Sequence, residues 1–196
     1  MKTKLILASA SPRRRELLEM LDVFDLTILP AAGEAPVPPG TPVDEAVKFI
    51  AAGKAADAAR RAGPDDLILA ADTVVALEGQ VLGKPRDEED AFHMLRALSG
   101  RKHTVYTGMA LRRGDRSMTD YASADVWFRE LTDREIRAYI ATGSPMDKAG
   151  SYGAQDMAAL FVERIEGEFY TVVGLPICRL GRMMHEFGVE IWGNDA

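Results

Sequence analysis

The spacing of apolar and polar residues changes period repeatedly along this chain, and each change marks an element. Leu5 to Ala8 is a short apolar run that predicts a strand. Ser9-Ala10-Ser11 follows as a small-residue turn, with Ser11 placed to cap a helix through its hydroxyl and Pro12 at the first helical position. Leu17, Leu18 and Leu21 then recur at helical spacing. A second strand is predicted over Leu26 to Leu29. A long helix is predicted to open at Thr41-Pro42-x-Asp44, with Val47, Ile50, Ala51, Ala55 and Ala58 as its apolar stripe. Leu67 to Leu77 is almost continuously apolar, as expected of a central strand covered on both faces.

The second half reads in the same way. Glu78-Gly79-Gln80 is a turn, and Asp87 caps a helix whose stripe is Phe92, Leu95 and Leu98, ended by Gly100. His103 to Leu111 alternates as a strand. Arg112 to Arg116 is a charged hairpin turn of solvated arginines, and Ala122 to Phe128 returns. Thr132-x-x-Glu135 is a capping box for a helix through Ile136, Tyr139 and Ile140, stopped at Gly143. Leu160 to Ile165 predicts a last strand. Gly174-Leu175-Pro176 leads into a final helix with Leu180, Met183, Met184 and Phe187 inward.

Several polar residues break these patterns, and they are the candidates for chemistry. Asp72 interrupts the most apolar strand, where a bare carboxylate costs several kcal/mol unless a cation or donors face it. A structural ion pair and a functional site both answer that need. Lys54 falls on the apolar stripe of its helix; snorkelling past the helix edge is the plainer account, a buried partner the other. Arg13, Arg14 and Arg15 crowd the first turn of a helix, where the dipole disfavours cations and a bound anion would relieve them. Arg14 shares the stripe of Leu17, Leu18 and Leu21, Arg15 lines up with Glu19 and Asp22 as a surface ion pair, and Arg13 is placed to reach a ligand. From this stretch alone, a phosphate site and a solvated basic helix start are equal readings. Lys84 sits between Gly83 and Pro85, in a segment that fails the spacing of a phosphate-binding P-loop. Pro145 to Asp156 is polar, punctuated by glycine and too long for a simple connector, so it is a candidate binding loop.

Composition narrows the classes. A chain of 196 residues forms one domain, or two small lobes sharing a core. A net charge of −6 argues against a general nucleic-acid surface, although a local basic pocket for a small anion remains compatible with it. The longest apolar runs are too short for a membrane span, and the N-terminal apolar run is too short for a signal peptide. The lone Cys178 fits a reducing compartment, and the isolated His93, His103 and His185 offer no metal-ligand spacing. The expectation is a cytoplasmic protein that engages neither membrane nor nucleic acid.

Taken in order, the motifs are Leu-Ala-Ser-x-Ser-Pro-Arg-Arg (7–14), Ala-Asp-Thr-Val-Val (71–75), Gly-Lys-Pro (83–85) and Leu-Ser-Gly-x-x-His-x-Val-x-Thr-Gly (98–108). Asp-Lys-Ala-Gly-x-Tyr-Gly-x-Gln (147–155) and Val-Val-Gly-Leu-Pro (172–176) complete the series. This series resembles the Maf family of nucleoside triphosphate pyrophosphatases along essentially the whole chain, taken as a single Maf-like domain over 1–196. The resemblance implies an α/β fold of two lobes on a mixed sheet, similar to inosine triphosphate pyrophosphatase, with a central cleft. It implies hydrolysis of a nucleoside triphosphate to the monophosphate and pyrophosphate with a divalent metal, Mg²⁺ or Mn²⁺, in a homodimer. By the resemblance, Asp72 is the proton acceptor and, with Glu34, a metal ligand. Ser9, Ser11, Arg13, Arg14, Lys54, Thr73, Lys84 and Gln155 are substrate-binding. Ser-Pro-Arg-Arg, Ala-Asp-Thr and Tyr-Gly-x-Gln look like the branch acting on dTTP and UTP. The alternatives are a 7-methyl-GTP or other non-standard nucleotide, or a non-enzymatic regulator of septum formation. The chain departs from the family pattern at Ser144, where Glu is usual, at Asp156, where Gly commonly follows the Gln, and at Gly33, where Asp often precedes the Glu.

Overall fold

The computed structural model describes residues 2–33 and 36–191. The strands form a seven-stranded mixed sheet, and the chain divides into two compact units. The first unit comprises 1–72, 107–122 and 174–196, and the second 73–106 and 123–173.

In the first unit, β1 (Thr3–Leu7) lies parallel to both β2 (Phe24–Ile28) and β3 (Ile68–Leu77), with Leu5 opposite Leu26 and Leu7 opposite Leu69. The parallel pairs are joined through α1 (Pro12–Leu21) and α2 (Val43–Ala59), as parallel strands require. The buried face of α2 is built from Val47, Ala51, Ala55 and Ala58, and these small side chains let the helix lie close on Ala8, Ile68, Ala70 and Ala110. The approach is tightest at Gly108 in β5 (Lys102–Arg113), where an added Cβ would stand 2.4 Å from the Val47 carbonyl carbon. Gly108 is therefore a packing requirement. Leu180, Met183 and Met184 of the last helix (Ile177–Glu186) are buried, as their spacing predicts.

Three local expectations change here. Thr41 does not cap α2: its hydroxyl donates to the Pro38 carbonyl at 2.7 Å, and Pro42 takes the cap position. Ser11 does occupy the cap position of α1 with Pro12 following, yet its side chain makes no cap bond. The charged turn shrinks to Gly114 and Asp115, because β6 (Arg116–Phe128) begins at Arg116. Strand pairing is a backbone property, and the mostly polar stretch Ser117-Met118-Thr119-Asp120 conceals it. Arg116 is not simply solvated either; it donates to the carbonyls of Phe187 and Glu186 at 3.0 and 3.1 Å and stacks on the Phe187 ring.

The second unit begins at Thr73 within β3, which turns back into β4 (Gln80–Leu82). Glu78 and Gly79 hold φ of 50° and 82°, the positive values that a two-residue hairpin demands. α3 (Glu88–Leu98) is capped by Asp87, and α4 (Asp133–Ile140) carries the reciprocal Thr132–Glu135 capping box. β7 (Val162–Glu166) pairs antiparallel with β6. A one-turn helix, α5 (Phe169–Val173), follows where the pattern shows none, because a single turn is too short to display a period; the last helix is α6. The candidate loop 145–156 is more ordered than its polarity suggests. Two 3₁₀ turns, Ser144–Asp147 and Ala149–Ser151, lead into a buried Tyr152.

Tyr152 belongs to an aromatic core with Phe128, Phe161, Tyr139 and His103. His103 is 2% exposed and its Nε2 lies 2.8 Å from the Tyr152 hydroxyl. Burial pushes the imidazole down to about 4, so the folded protein keeps it neutral. An unfolded chain takes up a proton near pH 6.5 that the folded chain refuses until about pH 4. This contribution to stability is complete above pH 6.5 and is lost as pH falls through that window, at up to ~1.4 kcal/mol per pH unit. Urea unfolding at pH 7 and pH 4.5 should show a smaller difference for His103→Gln than for the parent; equal differences would remove the assignment.

Candidate active site

The first unit holds six of the expected residues: Ser9, Ser11, Arg13 and Arg14 after β1, Lys54 on α2 and Asp72 within β3. After β1 the chain turns through Ser9, which is 8% exposed, into the start of α1. The Ser9 hydroxyl accepts from the Ser11 backbone N–H at 3.2 Å and from Arg14 Nη1 at 3.1 Å. The same Nη1 reaches the Ala71 carbonyl at 2.9 Å, and Nε donates to the Gly174 carbonyl at 2.8 Å. Arg14 is 9% exposed, because its place on the Leu17–Leu18 stripe turns it inward. It ties three segments together: the turn after β1, the middle of β3 and the segment before α6.

One residue beyond Ala71 stands Asp72, also 9% exposed. Its Oδ1 accepts from Lys54 Nζ at 2.7 Å, with both side chains 12% exposed. The two anomalies of the apolar pattern therefore answer each other. A lysine on the buried stripe of α2 meets a carboxylate in the central strand, and each compensates the other's desolvation. Arg13 is half-buried on the first turn of α1. Arg15 lies outside this group, exposed and paired with Glu19 at 2.7 Å. Glu34 lies outside the described residues.

The second unit carries Thr73, Lys84 and Gln155. Thr73, next in β3 after Asp72, is half-buried. Lys84 is exposed but backbone-restricted. Gly83 before it accepts the Gly150 N–H at 3.0 Å, and Pro85 after it is buried. Gly150 has φ of 65°, and a Cβ there would meet the Val75 side chain at 2.8 Å, so the Gly-Lys-Pro and Asp-Lys-Ala-Gly motifs are joined through a position that only glycine fills. Gln155 is exposed on the turn after Tyr152.

Two further groups escape a reading of the residues. The Gly174 carbonyl, as the acceptor of Arg14, carries no side-chain signal at all. Tyr139, Ser144, Lys148 and Asp156 form a polar network beside Gln155, and its signal is the pair of departures at 144 and 156. Among the described residues no group of three or more His, Cys, Asp or Glu side chains is arranged to hold a metal ion, and no helix is long and apolar enough to cross a membrane.

Over nearly its whole length the chain resembles the dTTP/UTP pyrophosphatase of Bacillus cereus (strain AH187), being 44% identical over 188 residues, which span 96% of this chain and 97% of that protein. The dTTP/UTP pyrophosphatase of Bacillus thuringiensis subsp. konkukian (strain 97-27) is similar to the same extent, 44% identical with the same coverage. Among solved structures, a HAM1 protein from Coxiella burnetii superposes with a TM-score of 0.51 at 16% identity, covering 94% of this chain and 99% of that one, a likeness of fold. The family model described as Maf-like protein matches residues 4–187, and the chain belongs to that family.

Proposed function

We propose that this protein is a nucleoside triphosphate pyrophosphatase acting on dTTP and UTP, the activity named for its 44%-identical relatives. The observation that carries the reading is the buried Asp72–Lys54 pair, one residue from the carbonyl that Arg14 holds. In the reaction, water attacks the α-phosphorus, the bond to the bridging α–β oxygen breaks, and pyrophosphate leaves. Asp72 takes the water's proton, and Lys54, holding Oδ1, orients the carboxylate for that transfer. Arg13, Lys54 and Lys84 neutralise the phosphates. Arg14 has two nitrogens on protein acceptors, so it holds the turn and adds positive field, while Ser9 and Ser11 offer short polar contacts. Thr73 and Gln155 read the pyrimidine edge.

Asp72 also suits a hard cation. Mg²⁺ keeps several waters and takes one or two carboxylates plus phosphate oxygens. Asp72 and Glu34 would hold Mg²⁺ or Mn²⁺, which supplies further neutralisation of the phosphates when bound. The same reading takes 1–196 as a single Maf-like domain acting as a cytoplasmic homodimer.

The deciding experiment is a panel of nucleoside triphosphates with Mg²⁺ or Mn²⁺, read by pyrophosphate and monophosphate release. kcat/KM for dTTP and UTP should exceed that for 7-methyl-GTP and the purine triphosphates by at least about tenfold. A preference for 7-methyl-GTP would move the protein to that branch. No pyrophosphate from any triphosphate would leave the non-enzymatic regulator.

A further inference from the structure

We infer that Asp156, clamped by Tyr139 and Ser144, is a positioning residue that fixes Gln155 for selection of the base; this rests on the reading of Gln155 given above. The Asp156 N–H donates to the Gly153 carbonyl at 3.2 Å, closing a four-residue turn with Ala154 and Gln155 at its tip. Both ends of that turn are tied to one phenol. The Gly153 N–H donates to the Tyr139 hydroxyl at 3.2 Å, and that hydroxyl donates to the Asp156 carboxylate at 3.0 and 3.1 Å. Tyr139 is 0% exposed and packs edge-on against Phe161, so the anchor is rigid.

Three more contacts fix the carboxylate. Ser144 Oγ donates to Oδ2 at 2.6 Å, the Ala158 N–H donates to Oδ1 at 2.9 Å, and Lys148 Nζ stands 3.7 Å from Oδ2. A Cβ at Gly153 would fall 2.8 Å from Lys148 Cε and 2.9 Å from Asp156 Oδ2, so a side chain there would push against the Lys148 and Asp156 side chains. Capping the following 3₁₀ turn needs only the contact to Ala158; the contacts to Tyr139 serve the turn that presents the exposed Gln155. Ser144 and Asp156, both departures from the family pattern, touch each other directly. A residue that acts by orienting another should change ground-state binding, and its effect should vanish when the oriented group is removed.

The test compares Asp156→Ala, Asp156→Asn, Gln155→Ala and the Q155A/D156A double variant. D156A should raise KM for dTTP and UTP by about tenfold or more with kcat within about threefold, because only uniform binding is lost. D156N, which keeps an acceptor for Tyr139, should restore KM to within about threefold of the parent. The double variant should be no worse than Q155A alone. Amide exchange over 153–156 should rise in D156A while α3 is unchanged. Multiplying effects, a loss confined to kcat, or unchanged exchange at 153–156 would overturn the inference. If Q155A leaves KM and base selectivity unaltered, the reading of Gln155 fails instead, and the exchange measurement alone decides whether Asp156 holds the turn. Should D156A not fold, Ser144→Ala, which removes the 2.6 Å bond, carries the same comparison with a smaller shift.

Discussion

Replacing Asp72 with Asn is expected to lower kcat for dTTP by about 10²–10⁴-fold, the range that a positioned general base contributes, while the protein remains folded. The amide is the same size as the carboxylate and its oxygen can still accept from Lys54 Nζ, so the 2.7 Å contact and the packing of β3 survive. What is lost is a group able to take a proton and an anionic oxygen for a hard cation. Steady-state pyrophosphate release and a thermal melt on the same preparation separate the two effects. Activity within about tenfold of the parent would remove Asp72 from the role of proton acceptor.

Lys54→Met should act on stability as well as on turnover. Methionine fills the volume on the α2 stripe but leaves the Asp72 carboxylate, 9% exposed, without its ammonium partner. Breaking a buried pair in this way costs about 3–5 kcal/mol. For a chain of this length that corresponds to a fall in Tm of roughly 6–20 °C. Adding Asp72→Asn to Lys54→Met should recover most of the stability, because a neutral amide is far cheaper to bury than a lone carboxylate, and no activity. If Lys54→Met melts with the parent, other groups satisfy Asp72 and the pair is not what keeps it buried.

The elements are largely legible in the sequence, because apolar periodicity is a local property. Helix α4 is an example: Thr132, Glu135, Ile136, Tyr139 and Ile140 announce both its start and its inward face, and the structure shows each in that role. Legibility fails where a partner distant along the chain, or a competing local bond, decides. Thr41 and Ser11 have the chemistry of caps, yet one bonds to Pro38 and the other donates its backbone N–H to Ser9. Arg116 reads as a surface charge until α6 and the residue after it supply two carbonyls for it. The loop at 145–156 reads as a polar candidate binding loop, and that Asp156 bonds back to Tyr139 and Ser144 is something no count of polar residues reveals.

The sequence by itself determined which residues were out of place. A carboxylate inside the most apolar strand, a lysine on a buried stripe and arginines on a positive helix end each carry an electrostatic cost, and that cost is set by local context alone. Only the tertiary structure decided how the cost is met. It put Lys54 2.7 Å from Asp72 and turned Arg14 onto Ser9, Ala71 and Gly174. It also bound both ends of the Gln155 turn to Tyr139. Hydrogen bonds and ion pairs form over about 3 Å between groups as much as 160 residues apart in the chain, as Arg14 and Gly174 are, so the need for a partner is written locally and its identity is not.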